Sequence, residues 1–167
     1  RVDNDDLLQL LRRAKELGLL FAVHAEDDAA IQELRARFRA EGKGDPTWHA
    51  ASRPAGSEAA AVTRALQLAA QARDAAVYIV HLSSAAGLEA IRKARAGGQK
   101  NVYAETCTQY LCLTDDLYAN PVRGLRAVMS PPLRKREDIN ALWEGLRNGD
   151  IQVAATDHCP FSIQDKM

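Results

Sequence analysis

Cysteine is scarce in this chain, and net charge is absent. The three cysteines, Cys107, Cys112 and Cys159, are odd in number and form no Cys-x-x-Cys pair. A disulfide framework and a thiolate zinc site are thereby disfavoured, and a reducing, cytoplasmic setting is expected. Lys+Arg and Asp+Glu both number 22. That balance gives no electrostatic reason to expect nucleic acid or an anionic membrane as partner. No run approaches the roughly 20 apolar residues of a membrane span. The acidic, amphipathic start RVDNDDLLQLL does not suit a signal peptide. Gly-rich phosphate loops and a Gly-x-Ser-x-Gly elbow are missing too. What is present is ordinary globular material. The 167 residues are 47% hydrophobic and 26% charged, enough for a single domain with a sizeable core.

Helix and strand signals alternate along the chain. Acidic cap candidates at Asp3 to Asp6 precede Leu7, Leu8, Leu11, Ala14 and Leu17 at helical spacing, and Gly18 is a natural stop. Further helices are expected over 28–41, over 57–73 with Ser57 as cap, over 85–96 closed by Gly97-Gly98, and over 136–147. Residues 42–56 and 112–133 read as loops, the latter marked by Asn120-Pro121 and Pro131-Pro132. Between these lie four apolar runs, Leu19–Val23, Ala76–Val80, Val102–Thr106 and Ile151–Ala155. Such runs read as strands buried on both faces. The alternation implies parallel strands with right-handed crossovers, in either part of a (β/α)8 barrel or an open doubly wound sheet.

The chemistry-bearing residues stand at strand ends. Val23 is followed by His24, Val80 by His81 and Thr156 by Asp157, with Glu105 and Thr106 ending the third strand. In a parallel barrel these ends converge on one face, where catalytic groups collect. Two imidazoles and a carboxylate suit Zn²⁺ and similar ions. A lone His at a strand end is more often a hydrogen-bonded structural residue, and Asp157 is equally able to cap a turn. Pattern alone leaves both readings open. His158, Cys159 and Pro160 shape the turn that follows. His49, beside Trp48 in a polar loop, reads as a surface residue. Cys107 and Cys112 read as small, half-buried residues without a base to activate them. The Pro-stiffened segment Met129-Ser130-Pro131-Pro132-Leu133-Arg134 either presents main-chain groups to a ligand or simply connects.

Five strings in one order carry a family resemblance: Val23-His24-Ala25-Glu26, His81-Leu82-Ser83-Ser84, Glu105-Thr106-Cys107-Thr108-Gln109-Tyr110-Leu111, Met129 to Arg134, and Thr156-Asp157-His158-Cys159-Pro160-Phe161. His49-Ala50-Ala51-Ser52-Arg53-Pro54 adds a sixth. Together they resemble the dihydropyrimidinase/hydantoinase family of cyclic amidohydrolases along the whole chain. The resemblance implies a (β/α)8 barrel, of which residues 1–167 form a partial domain, strands five to eight. It implies two divalent metals, normally zinc, in the complete enzyme. By motif, His24 and His81 are implied as ligands of the second metal. Asp157 is implied as a ligand of the first metal and as the general base and acid, and Ser130 as a residue that binds the ring.

The resemblance also says what is missing. The family's His-x-His motif and metal-bridging carboxylated lysine have no counterpart in this chain. The implied reaction is opening of a hydantoin or dihydropyrimidine ring to an N-carbamoyl amino acid by metal-activated water. The implied assembly is a homo-oligomer, commonly a tetramer, of the full-length protein. Half a barrel exposes strand edges, so the chain alone is expected to be inactive and prone to associate. Three other readings compete: a non-catalytic relative such as the collapsin-response-mediator proteins, an allantoinase- or dihydroorotase-type enzyme, and an open-sheet binding domain without metal.

Overall fold

A computed structural model describes residues 2–159, 161–162 and 164–166. The chain begins with helix α1 (Asn4–Glu16). Asp3 caps it by accepting from the Asp6 amide at 2.8 Å, and Gly18, at φ +66°, ends it. Strand β1 (Phe21–Val23) and α2 (Asp28–Ala40) follow. Next come α3 (Pro46–Ala51) and α4 (Ala55–Gln71). Beyond them lie β2 (Val77–Ile79), α5 (Ala85–Ala96), β3 (Val102–Cys107) and α6 (Thr108–Cys112). A 3₁₀ turn (Asp115–Ala119), α7 (Pro121–Arg126), α8 (Arg136–Arg147) and β4 (Val153–Ala155) complete the main body.

The four strands form one parallel sheet in the order β1-β2-β3-β4. Spatial order follows chain order, so no reversal marks the switch point of a doubly wound sheet among these strands. Helices α1, α4, α5 and α8 pack side by side. They cover the sheet face that carries Val77, Ile79, Val102 and Ala104, all buried. Leu66, Leu82, Leu88, Ile91, Leu142 and Ile151 fill the same core. Each such side chain contributes about 1.5–3 kcal/mol on burial. Gly145 allows the close approach of α8, because a Cβ there would lie 2.8 Å from Leu88 Cδ2.

Several expectations need correction. Only one sheet face is covered. Ala22, Tyr78 and Tyr103 share a register row on the other face, where Ala22 and Tyr103 are exposed. Leu19 and Leu20 before β1, and Val153 on β4, are also exposed, because β1 and β4 are sheet edges here. The segment 42–56 is not all loop: Asp45 caps α3, with Pro46 in its first turn. Likewise 112–133 contains the 3₁₀ turn and α7. Helix α4 starts at Ala55, after Pro54, and Ser57 lies inside its first turn. Cys107 is buried and Cys112 exposed, and neither is half-buried. Pro160 lies outside the described residues.

Candidate active site

His24, His81 and Asp157 each sit just past the C-terminal end of a strand, and Ser130 lies in the loop between α7 and α8. His24 follows β1 directly. His81 follows β2 after Val80, whose amide donates to Val23 O at 3.2 Å, so the strands stay paired up to the site. Asp157 follows β4 after Thr156. His81 (φ +41°) and Asp157 (φ +47°) both adopt left-handed backbone, a rare state for non-glycine residues. Such strain gathers at functional sites.

The two imidazoles touch. His24 Nδ1 and His81 Nε2 are 2.8 Å apart, with ring planes at 74°. One ring must donate the shared proton and the other accept it. The far nitrogen of His24, Nε2, lies 3.2 Å from Glu26 Oε2. Glu26 also faces Arg53 Nε at 3.7 Å. Burial opposes its ionisation, but the His24 bond and the Arg53 and Arg134 charges hold it below the ordinary carboxyl range. His81 is buried, and its Nδ1 has no partner among the described residues. Burial lowers the His81 pKa, and the neighbouring His24 lowers it further, while the Asp157 charge pulls the other way. His81 is thus held neutral near neutral pH, with a lone pair available for a cation.

Glu105 fixes the His81 turn from below. Its Oε1 accepts from the His81 amide at 3.3 Å and its Oε2 from Tyr78 OH at 2.5 Å. Burial and that bond push the Tyr78 hydroxyl up to about 12. Beside the turn lies a second carboxylate, Glu58 on α4, 2% exposed. Its Oε1 accepts from Ser83 N (2.9 Å) and Ser83 Oγ (2.8 Å), and its Oε2 from Ser84 Oγ. Arg134 Nε donates to Ser83 Oγ at 3.0 Å, and Nη1 donates to Arg53 O. Burial raises the Glu58 pKa, and the Arg134 charge and the serine donors act against that rise.

The 129–134 segment is anchored along its length. Pro131 O accepts from Tyr110 OH (2.7 Å), the Leu133 amide donates to Tyr118 OH (2.9 Å), and Arg134 O accepts from the Asp115 amide (2.9 Å). His49 Nε2 lies 2.8 Å from Met129 O. This corrects the surface assignment of His49, which is half-buried and tied to a segment remote in sequence. Ser130 itself is exposed. It shares with His24, Glu26 and Arg53 a cleft of about 960 Å³ that runs along the open edge of β1.

Burial holds His49 below the ordinary imidazole range, although its bond to Met129 O acts the other way. The folded state therefore binds this proton more weakly than the unfolded chain. Stability from neutral His49 is complete above the unfolded value of about 6.5 and is lost as pH falls through the depressed folded value. Urea melts from about pH 8 to about pH 5 should show wild type losing more stability than His49→Gln, which keeps a donor for Met129 O. Parallel profiles would exclude His49 as the cause.

The structure thus brings His24 and His81 together and sets Ser130 on the same cleft as His24. Asp157 is near enough to His81 for its charge to be felt. Among the described residues no three His, Cys, Asp or Glu side chains are gathered closely enough to hold a metal. The fit to a cation is that of two convergent imidazoles, with His81 Nδ1 left without a partner. Sequence reasoning missed Glu26, Arg53 and Glu58. The available signal was a carboxylate at position 58 on the buried stripe that also carries Ala61, Val62 and Ala65.

No protein-family model matches the chain. D-phenylhydantoinase of Escherichia coli is 46% identical over 167 residues, which is all of this chain and 36% of that enzyme. The crystal structure of dihydropyrimidinase from Brevibacillus agri superposes with a TM-score of 0.92 at 44% identity, over 96% of this chain and 34% of that one. D-hydantoinase from Bacillus sp. AR9 gives 0.94 at 41%, over 98% and 36%. This chain belongs to the hydantoinase/dihydropyrimidinase family. It spans about a third of the length of these hydantoinase relatives. Among the described residues no helix is long and apolar enough to cross a membrane.

Proposed function

We propose that this chain forms one side of the active site of a metal-dependent hydrolase that opens a hydantoin or dihydropyrimidine ring. The observation that carries this reading is the contact of His24 with His81 at the ends of adjacent parallel strands. In this reading β1 to β4 are strands five to eight of a (β/α)8 barrel. Sequential strand order and helices on one face support that, and the bare row of Ala22, Tyr78 and Tyr103 becomes barrel interior. His24 and His81 would hold a divalent ion, with Asp157 on the same rim. When bound, the ion supplies Lewis acidity that activates water and polarises a carbonyl.

The chain's own residues do the rest. His81 stays neutral and Glu26 orients the His24 ring. Ser130, on an anchored loop at the cleft, binds the amide edge of the ring through its main chain. Asp157 accepts the proton of the attacking water and delivers it to the leaving ring nitrogen. Water adds across the C–N bond: its oxygen goes to the carbonyl carbon, its proton to nitrogen, and an N-carbamoyl amino acid results. The unpaired cysteines support a cytoplasmic setting. The family's other metal-binding residues are not in this chain, so the chain by itself is inactive. Its exposed Leu19 and Leu20 beside the β1 edge favour association.

A chimera tests this. The chain replaces the 167 aligned residues of the Escherichia coli D-phenylhydantoinase. The chimera should open the ring, seen as appearance of the N-carbamoyl product, while the chain alone produces none. A folded chimera without ring opening, beside an active parent enzyme, overturns the proposal.

A further inference from the structure

We propose that Glu58 is a positioning residue that, through Ser83 and Arg134, locks the His81 turn to the loop carrying Ser130. The proposal rests on the preceding assignment of His81 and Ser130 to the active site. Glu58 lies on α4, does not itself line the cleft, and hydrogen-bonds to neither His81 nor Ser130. Its three acceptor contacts all go to Ser83 and Ser84, two and three residues beyond His81. Ser84 Oγ in turn accepts from the Gly87 amide (3.1 Å), so the start of α5 is fixed by the same group. Ser83 Oγ donates to Glu58 and accepts from Arg134 Nε, making the hydroxyl a bridge between carboxylate and guanidinium.

Arg134 closes the loop that begins at Met129, and its Nη1 reaches Arg53 O. Arg53 faces Glu26, which holds His24. Contacts thus link Ser83, two residues beyond His81, through Arg134, Arg53 and Glu26 to His24, the Arg53–Glu26 step being an ion pair at 3.7 Å. An apolar side chain at position 58 would fill the space at less desolvation cost. A buried carboxylate with three donors instead defines direction, because each acceptor lone pair accepts along a fixed axis. The space is tight as well: a Cβ at Gly87 would lie 2.9 Å from Glu58 Oε2.

The chain carries its own reporters, since its four histidines are His24, His49, His81 and His158. His81 reports on the turn, His49 on Met129 and the Ser130 loop, and His158 serves as a control. Long-range ¹H–¹⁵N spectra of the imidazoles, recorded on the chain and on Glu58→Gln, make the test. Gln keeps the volume and one acceptor oxygen but loses the charge that faces Arg134. The expected result is displacement of the His81 and His49 ring signals together and loss of the proton signal shared by His24 and His81, with His158 unmoved. Should Glu58→Gln fail to fold, Glu58→Gln/Arg134→Met removes both charges and is read in the same way. Ring signals of His81 and His49 that coincide with wild type in a folded variant, whatever its melting temperature, overturn the proposal. The readout involves no catalysis. An inactive chimera alongside displaced ring signals would remove the active-site assignment and leave the coupling standing.

Discussion

Replacing Asp157 with Asn in the active chimera is expected to lower kcat about 10²–10⁴-fold, the contribution of a positioned general acid–base group. Asn matches Asp in size and keeps one oxygen, so the turn after β4 is preserved. What it loses is the capacity to take a proton from water and return it to nitrogen. Asp157 is exposed at a strand end, in left-handed backbone, with its charge felt by His81. If it acts on the proton, KM should change little while kcat collapses, because the interaction belongs to the transition state. Steady-state kinetics on a hydantoin substrate measure both. A loss confined to a few-fold would reduce Asp157 to a turn cap.

Removing Arg134 should produce the largest loss of stability. Arg134 is 7% exposed, and Arg134→Ala leaves the buried Glu58 carboxylate without the cation that opposes its desolvation. The two charges meet through Ser83 Oγ rather than as a direct ion pair, so the loss is that of the charge-assisted bonds Arg134 makes to Ser83 Oγ and Arg53 O, about 1.5–3 kcal/mol for each. The sign of the pH dependence follows from Glu58. Its pKa is already raised by burial, and loss of the Arg134 charge raises it further. A carboxyl with a raised folded pKa is most favourable to the fold when protonated, below its unfolded value. Its contribution is lost as pH rises through the folded value. The deficit of Arg134→Ala should therefore be smallest in acid and grow towards neutral pH. Urea melts of both proteins across that range decide it. A deficit independent of pH would mean that Glu58 is not the group left uncompensated.

Legibility varied with the range of the interactions involved. Helices α5 and α8 match the sequence expectation because their signals are local, such as Ser84 accepting from the Gly87 amide at 3.1 Å. Helix α3 was hidden because Gly42, Gly44, Pro46 and Pro54 crowd around it, although Asp45 and Pro46 make a local start signal. His49 was misassigned for a different reason. Its partner, Met129 O, lies 80 positions away, and no pattern around His49 announces it. Glu58 differs: its place on the stripe of Ala61, Val62 and Ala65 was a local signal of burial, but the serines that satisfy it lie 25 and 26 positions on.

The order of residues by itself determined the parallel alternation of strand and helix, and that His24, His81 and Asp157 would each stand at a strand terminus. Those features depend on neighbours within a few positions, where propensity and periodicity act. Tertiary structure alone decided that the two imidazoles share a proton, that one sheet face stays bare, and that Glu58 and Arg134 meet through Ser83. Each of these is a through-space distance or a local dielectric, set by strand register and helix stacking, and neither quantity is carried by sequence separation.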